Sequence, residues 1–359
     1  MSLRNVFNSA WVFSAKELLV GIVIFILTFS LVYLSRDYRV SKENSVIFAE
    51  NQVLFIQNRS SVQELPQLLA ALDVQLEEDE LLWAAEILRW RTIREGRYVF
   101  SGSYSYDALL SKLSRGEQTE MNVVIAPGLW EEVFISRISS QLRFSEDELR
   151  AAMNDSLFLA DLDLRREHIF GRMLPNTYRM FWTTSPEQFI RRMLREFDRA
   201  VTQPYASRMT EMRRSVDEIV TMASIIEWEA SIASEKPTIS GLYWNRINRR
   251  WRMQADPTVN FALGERRRLV FADYNVDHPY NTYRIWGLPP GPITNPSITS
   301  IRAALYPESH NYMYMVATPQ GHHAFSRTYE EHRQRSREWT NWLREQRRIG
   351  RMREQGLID

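Results

Sequence analysis

The chain has 359 residues, enough for two domains of ordinary size, and its 44% hydrophobic and 25% charged residues are typical of a globular protein. The formal net charge is only +1, so no global positive field favours nucleic acid as a partner. There is no cysteine, which excludes disulfides, thiolate nucleophiles and cysteine-rich zinc sites.

The first predicted element is an apolar helix near the N-terminus. Residues 18–35, LLVGIVIFILTFSLVYLS, carry no charge, and their length is close to the roughly 20 residues that span a bilayer as a helix. A cleaved signal peptide is the alternative, but its apolar region is usually about 7–15 residues long and ends at small residues. We therefore predict an uncleaved membrane anchor, preceded by a short tail, 1–17, expected in the cytoplasm, and followed by a linker, 36–44. Basic residues lie on both sides of the anchor, so charge alone does not decide its orientation.

A small mixed domain is predicted over residues 45–119. Its first stretch, NSVIFAENQVLFIQ, alternates loosely as a strand does, whereas SVQELPQLLAAL and DELLWAAEILRW have the apolar spacings of helices. The following stretch, EGRYVFSGSYSYDALLSKLSRGE, predicts a turn, a short strand and a helix that Ser105 or Asp107 caps.

A larger region, 120–345, is predicted to follow, with a tail at 346–359. It begins with the strand EMNVVIAPG, and most of its other segments have helical periodicity. The last helix, 329–353, is rich in arginine, but interspersed glutamates favour a solvated face over a surface for a polyanion. The predicted fold class is α+β.

The helix predicted over residues 221–235, TMASIIEWEASIASE, places Glu227 and Glu229, two residues apart, in an apolar sequence. The neighbours of Glu229 at positions i±3 and i±4 are all apolar: Ile225, Ile226, Ile232 and Ala233. Those of Glu227 are small and half polar: Ala223, Ser224, Ala230 and Ser231. Desolvation raises the pKa of a carboxyl group, which a general acid needs near neutral pH, so Glu229 is the better candidate. The alternative is a buried glutamate paired with an arginine, such as Arg246 or Arg252.

Other chemistry has weaker support in the sequence. A hydrolase with two carboxylates needs a second acid about 5–10 Å from the first. Asp256 in MQADPTVN is a candidate, although ADPT also fits a turn or a helix start with proline in its first turn. The histidines lack HExxH spacing, and the sequence has no P-loop, GxGxxG or GxSxG motif. We therefore predict neither a metal site nor a cofactor.

Four long motifs give the chain a resemblance to a known family. They are TMASIIEWEASIASE, NRINRRWRMQADPTVNFALG, YNTYRIWGLPPGPITNPSITSIRAAL and YMYMVATPQGHHAFSRTYEEH. In order and separation they resemble the YceG-like endolytic murein transglycosylases. The upstream stretch REGRYVFSGSYSYDALLSKLSRGE is similar to the LysM-like subdomain of that family. The resemblance implies a single transmembrane helix, a LysM-like subdomain at 45–119 and a mixed α/β catalytic domain at 120–345.

The resemblance also implies an activity and a site. The activity is cleavage of peptidoglycan between N-acetylmuramic acid and N-acetylglucosamine, with formation of 1,6-anhydro ends. Alignment of IIEWE with the family pattern IxEKE assigns the acid/base role to Glu229, with Glu227 as the alternative. The residues expected to contact the glycan are Asn245, Gln254, Asp256, Tyr280, Asn281, Tyr283, Asn295 and Phe325. The asparagines among them also fit turn and cap positions.

The implied location is the inner or plasma membrane, with the catalytic domain on the extracytoplasmic, periplasmic side. The implied partners are peptidoglycan strands, membrane lipid and enzymes of cell-wall synthesis, without nucleic acid. The competing hypothesis is a non-catalytic membrane-anchored scaffold that binds glycan and recruits the synthesis machinery. A hydrolase with a base-activated water is a third hypothesis, and it would produce reducing ends.

Overall fold

The structure is a computed structural model that describes residues 14–355. The chain divides into two compact units. The first contains the residues up to Glu120 together with Phe181–Thr183, and the second contains Met121–Met180 and the residues from Thr184 onward.

The N-terminal apolar segment forms a long helix, α1, Ala15–Ser41. A capping box begins it, in which Ser14 Oγ accepts from Glu17 N and the Glu17 carboxylate accepts from Ser14 N. Its 27 residues extend about 40 Å, more than the hydrocarbon thickness of a bilayer. Its most apolar window has a mean hydropathy of 2.6, and none of that window is buried in the protein. By length and composition α1 can therefore cross a membrane, and it extends beyond the predicted 18–35 at both ends.

The rest of the first unit is a small α/β structure. In chain order it contains β1 (Val46–Ile56), β2 (Ser60–Ser61), α2 (Leu65–Leu69), β3 (Val74–Leu76), α3 (Glu78–Ile87), β4 (Thr92–Ile93), β5 (Gly96–Tyr104) and α4 (Tyr106–Arg115). An antiparallel sheet has the order β3-β1-β5, and a second pairs β2 with β4. Phe48 of β1 stacks on Phe100 of β5 at 4.5 Å between ring centroids, and both rings lie in the core of this unit. Ser105 is the cap of α4, since its Oγ accepts from Ala108 N at 3.2 Å.

The second unit is mainly helical. Its strands are β6 (Met121–Ile125), β7 (Asn176–Met180), β8 (Tyr314–Ala317) and β9 (His323–Ser326). Its helices are α5 (Glu131–Ser139), α6 (Glu146–Asn154), α7 (Ser156–Asp161), α8 (Arg166–Ile169), α9 (Pro186–Phe197), α10 (Gln203–Met212), α11 (Val216–Glu229), α12 (Lys236–Asn248), α13 (Asp256–Leu263), α14 (Ile298–Leu305) and α15 (Tyr329–Glu354). The strands form two antiparallel pairs, β6 with β7 and β8 with β9.

Helix α11 is the centre of the second unit. Every residue from Ile219 to Ile226 is buried, and the helix packs against α12, α13 and α14. A helix that is apolar on all sides is stable only where neighbours cover every face, which is the case here. The C-terminal end of α11, which carries Glu227 and Glu229, therefore extends out of the middle of this core.

Helix α11 is shorter than the sequence predicts. It ends at Glu229, Ala230 is extended (φ −92°, ψ 106°), and a short 3₁₀ turn, Ala233–Glu235, precedes α12. Pro237 favours a new helix start, because proline has no N–H to donate and fits the first turn. The prediction of one helix over 221–235 is therefore wrong at its C-terminal end. Ile232, expected to cover Glu229, is 37% exposed instead.

Candidate active site

A cleft of about 480 Å³ opens at the C-terminal end of α11. It lies within the second unit, and residues from six segments form its wall. They are Glu229 from α11, Arg246 from α12, Gln254 and Asp256 at the start of α13, Tyr283 from the following loop, Tyr314–Ala317 and His323 from the β8–β9 pair, and Tyr329 and His332 from α15.

Glu229 places a desolvated carboxyl group in this cleft. Its Oε2 has almost no exposed surface and no hydrogen-bond partner among the described residues. Burial raises the pKa of Glu229 to about 7, and the carboxylate of Asp256 adds to the rise. His323, Tyr243 and Arg246 lower the pKa and offset part of the increase. Glu229 is thus able to hold a proton near neutral pH and to release it.

Glu227 has the opposite surroundings. Its Oε2 accepts hydrogen bonds from Ser297 N at 3.0 Å, from Ser300 Oγ at 2.6 Å and from Lys236 Nζ at 3.2 Å. Burial, the largest single influence, raises the pKa of Glu227, but the hydrogen bonds from Ser297 and Ser300 and the charge of Lys236 outweigh it, and the pKa is lowered. Glu227 is therefore an ionised structural residue that holds the start of α14. The alternative considered for Glu229, a buried pair with an arginine, is not what forms here: the ion pair is made by Glu227, and its cation is Lys236.

Two buried residues of α12 lie beside Glu229. Arg246 donates from Nε to Met313 O at 2.8 Å and from Nη1 to Met253 O, which fixes its guanidinium at the cleft. Tyr243 is fully buried, and its hydroxyl makes no hydrogen bond of normal geometry within the described part of the chain. Both groups favour the ionised form of Glu229.

Asp256 lines the same cleft. Its carboxylate accepts hydrogen bonds from the hydroxyls of Tyr283, at 2.6 Å, and Tyr274, at 3.5 Å. Burial, and then the charge of Asp256, raises the pKa of Tyr283. The phenol therefore stays protonated and continues to orient the carboxylate.

A Glu–His pair completes the site. Glu235 accepts from His323 N at 2.6 Å and contacts His323 Nδ1 at 2.8 Å, so it fixes the position and orientation of the imidazole. No pattern in the sequence singled out Glu235, which lay at the end of a predicted helix. His323 was recognisable as one of several histidines without metal-binding spacing and as part of the fourth family-like motif.

Three predicted substrate contacts, Gln254, Asp256 and Tyr283, line the cleft, and the asparagines do not. Asn281 and Asn295 are completely buried. The carboxamide of Asn281 donates to two carbonyls of the preceding turn, and that of Asn295 donates to Ala126 O at 2.8 Å. Asn245 donates to His310 O at 2.7 Å. Asn281 and Asn295 match the turn-and-cap interpretation, whereas Asn245 lies within α12 and bonds to the loop at His310.

The two remaining aromatic residues stand behind the cleft. The ring of Tyr280 lies 4.5 Å from that of Phe261, and the ring of Phe325 lies 5.7 Å from that of Tyr312. All four pack against the core of the second unit. Tyr280 and Phe325 therefore support the cleft and do not line it.

The fold and the site define a class: mixed α/β proteins with an N-terminal apolar helix and a protonatable buried carboxyl group in a cleft. The model of the YceG-like family matches residues 54–338, most of the chain. The chain belongs to this family.

Relatives of known name agree with this assignment. The endolytic murein transglycosylase of Bacillus subtilis (strain 168) is 29% identical over 294 residues, which cover 77% of this chain and 81% of the relative. The endolytic murein transglycosylase of Streptococcus pneumoniae serotype 2 (strain D39 / NCTC 7466) is 29% identical over 212 residues, 57% of this chain and 38% of that longer protein. The crystal structure of a YceG-like protein from Listeria monocytogenes has 29% identity and a TM-score of 0.56, and covers 80% of this chain and 97% of its own. The predicted family and the mixed α/β fold with one apolar N-terminal helix are confirmed.

Proposed function

We propose that this protein is a membrane-anchored lytic transglycosylase that cleaves peptidoglycan strands internally, between N-acetylmuramic acid and N-acetylglucosamine. The observation that carries the proposal is the carboxyl group of Glu229, whose Oε2 is buried without a hydrogen-bond partner among the described residues and whose pKa is raised by desolvation to about 7. The names of the bacterial relatives support the substrate and the reaction.

In the first step Glu229 is the general acid. Its proton passes to the glycosidic oxygen while the bond from C1 of the muramic acid to that oxygen breaks, and an oxocarbenium-like state develops. The carboxylate left behind is stabilised by the groups that lower the pKa of Glu229, which are His323, Tyr243 and Arg246. These groups reduce the cost of giving up the proton in a dry site.

In the second step the same carboxylate is the general base. It removes the proton from the C6 hydroxyl of the muramic acid while that oxygen bonds to C1, so the product is a 1,6-anhydro end and Glu229 is protonated again. No water enters the reaction. The nucleophile is tethered to the reacting ring, which reduces the entropic cost of bringing the two atoms together.

Asp256 has a supporting role in this proposal. Its negative charge, oriented by Tyr283, faces the same cleft and stabilises the positive charge that develops at C1. Because the nucleophile belongs to the substrate, Asp256 does not have to activate a water molecule.

The LysM-like assignment of residues 45–119 belongs to this proposal. The small unit has its own cleft of about 810 Å³, whose wall includes Trp83, Trp90, Arg89 and Arg91. Aromatic faces and guanidinium groups suit stacking on sugar rings and hydrogen bonding to their substituents. We assign to this unit the binding of a strand outside the catalytic cleft.

Helix α1 is assigned as the membrane anchor in contact with inner or plasma membrane lipid. The residues that follow α1 are assigned to the periplasmic side, where peptidoglycan and its synthesis enzymes are found. The expected cytoplasmic tail, 1–17, lies mostly outside the described residues. An exposed helix of this length and composition is the support for the anchor.

Mass spectrometry of the products from purified peptidoglycan tests the reaction. The expected products have 1,6-anhydro ends, and Glu229→Gln abolishes them while the full-length protein still sediments with membranes. Reducing ends would replace this mechanism with hydrolysis. Binding to peptidoglycan without any new ends would favour the scaffold hypothesis. Full activity of Glu229→Gln together with an inactive Glu227→Gln would move the catalytic role to Glu227.

A further inference from the structure

A second groove, about 470 Å³ in volume, lies next to the catalytic cleft. We call it the arginine–tryptophan groove, and it is lined by Arg249, Arg250, Trp251, Arg252, Gln254 and Trp286. Trp286 is 65% exposed and Trp251 is 38% exposed. Large aromatic rings at a protein surface are more common at binding sites than elsewhere, since exposure of their apolar area is unfavourable.

The groove adjoins the catalytic cleft. Gln254 lines both, and its Oε1 lies 3.4 Å from Trp251 Nε1. The ring of Trp251 meets the edge of Tyr314, a residue of the cleft wall, at 5.7 Å between centroids. A polymer bound across Glu229 therefore has a direct path from the cleft into the groove.

The groove is positively charged and unneutralised. None of the lining residues is acidic, and within residues 14–355 its arginines form no ion pair with a carboxylate. The guanidinium carbon of Arg252 lies 5.0 Å from the ring centroid of Trp286, and Arg252 Nη1 donates to Tyr283 O at 3.1 Å. These two contacts order the floor of the groove. Arg249 donates to the side chain of Asn311 at 3.3 Å. The cations are available for an anionic ligand.

The backbone of the groove is held in an unusual conformation. Arg250 and Gln254 have positive φ values of 54° and 52° although neither is glycine. Such conformations are unfavourable for residues with a Cβ and persist where the surrounding structure imposes them. Here they bend the chain on both sides of Trp251 and direct this short segment toward the cleft.

We propose that the arginine–tryptophan groove is a subsite for a peptide-bearing sugar of the strand, next to the unit that is cleaved. A sugar ring stacks on Trp286 and Trp251, and a carboxylate of the peptide stem pairs with Arg249 and Arg250. The inference rests on the proposed function and adds a preference to it: strands with peptide stems are cut faster than strands without them. Binding energy from a part of the substrate remote from the reacting bond raises kcat/KM.

The test compares kcat/KM for anhydro-end formation on strands with peptide stems and on the same strands after enzymatic removal of the stems. Wild-type protein is expected to prefer the peptide-bearing strands. The double variant Arg249→Gln/Arg250→Gln is expected to reduce the preference for peptide-bearing strands about three- to fivefold, because exposed ion pairs contribute an effect of this size. Its kcat/KM on strands without stems is expected to change little. Trp286→Ala is expected to lower kcat/KM about tenfold or less on both substrates, because the sugar ring is present in both.

Matched controls lie outside the groove in the second unit. Arg337→Gln/Arg344→Gln removes two exposed arginines of α15, and Phe271→Ala removes an aromatic ring that is 87% exposed. Both are expected to match wild type on both substrates. Equal losses on the two substrates in the arginine double variant, or wild-type values in both groove variants, would overturn the subsite. Wild-type protein that forms no anhydro ends on either substrate would overturn the proposed function instead.

Discussion

Glu227 and Glu229 are two residues apart on α11, yet their carboxyl groups are in opposite electrostatic states. Burial, the largest influence on both, is outweighed at Glu227 by hydrogen bonds and by Lys236, which lower the pKa, whereas at Glu229 it raises the pKa to about 7. The difference arises because the two side chains of the last helical turn meet different neighbours: Glu227 accepts hydrogen bonds from the start of α14, whereas Glu229 lines the cleft. One carboxyl group is suited to hold structure, and the other to exchange a proton.

Glu227→Gln is expected to destabilise the second unit by about 3 kcal/mol, because it leaves the buried ammonium of Lys236 without its counter-charge. Chemical denaturation followed by tryptophan fluorescence measures the loss. The double variant Glu227→Gln/Lys236→Met removes both charges and is expected to recover part of the stability. A single variant as stable as wild type would show that the ion pair does not hold α14.

Glu229 is expected to make the stability of the protein depend on pH in the opposite sense to an ordinary glutamate. Burial raises its pKa from 4.5 to about 7, so the folded protein binds the proton more tightly than the unfolded chain. This contribution to stability is complete below pH 4.5 and is lost as the pH rises through 7, a change of about 3 kcal/mol.

The matching measurement compares wild type with Glu229→Gln, which does not titrate. Between about pH 5 and about pH 8 the variant is expected to gain stability relative to wild type, and its activity is expected to fall about 10³-fold or more. A stability difference that does not vary with pH would contradict the raised pKa, whatever the activity of the variant.

The sequence predicted that Glu229 would be desolvated, which the raised pKa of Glu229 supports, but its reasons were only partly right. Ile225 and Ile226 are buried helical neighbours, as periodicity indicated, but Ile232 is exposed because the helix ends first. Most of the electrostatic surroundings of Glu229 come from segments distant along the chain, such as the one that carries His323. Local spacing contains no information on such contacts.

The asparagines illustrate a second limit of the sequence. A carboxamide that caps a turn and one that binds a sugar both require a polar residue in a loop rich in proline and glycine. Asn281 and Asn295 are fully buried and bonded to backbone groups, which only the three-dimensional arrangement reveals. Strands and helices with clear periodicity, by contrast, were recognisable from the sequence, including the apolar helix α1.

Asp256→Asn is expected to shift the pH dependence of activity. Burial raises the pKa of Glu229, and the charge of Asp256 raises it further, so removal of that charge lowers the pKa. Because the acid must be protonated, the alkaline fall in kcat/KM is expected to move to lower pH. Tyr283→Phe, which keeps the carboxylate, is the control and leaves the alkaline limb close to its wild-type position. An unchanged limb in Asp256→Asn would remove Asp256 from the electrostatic surroundings of Glu229.

His323→Asn is expected to shift the alkaline fall in kcat/KM to higher pH, opposite to the shift expected for Asp256→Asn. After burial and Asp256, which raise the pKa of Glu229, His323 is the largest influence that lowers it, so loss of the imidazole raises the pKa. The alkaline fall in kcat/KM therefore moves to higher pH, while kcat decreases because the carboxylate formed in the first step has lost a stabilising neighbour. Glu235→Gln keeps a hydrogen-bonding side chain beside His323 and is expected to change the profile less than His323→Asn does. A shift to lower pH in His323→Asn, or a larger effect of Glu235→Gln, would mean that the imidazole does not act on Glu229 through its charge.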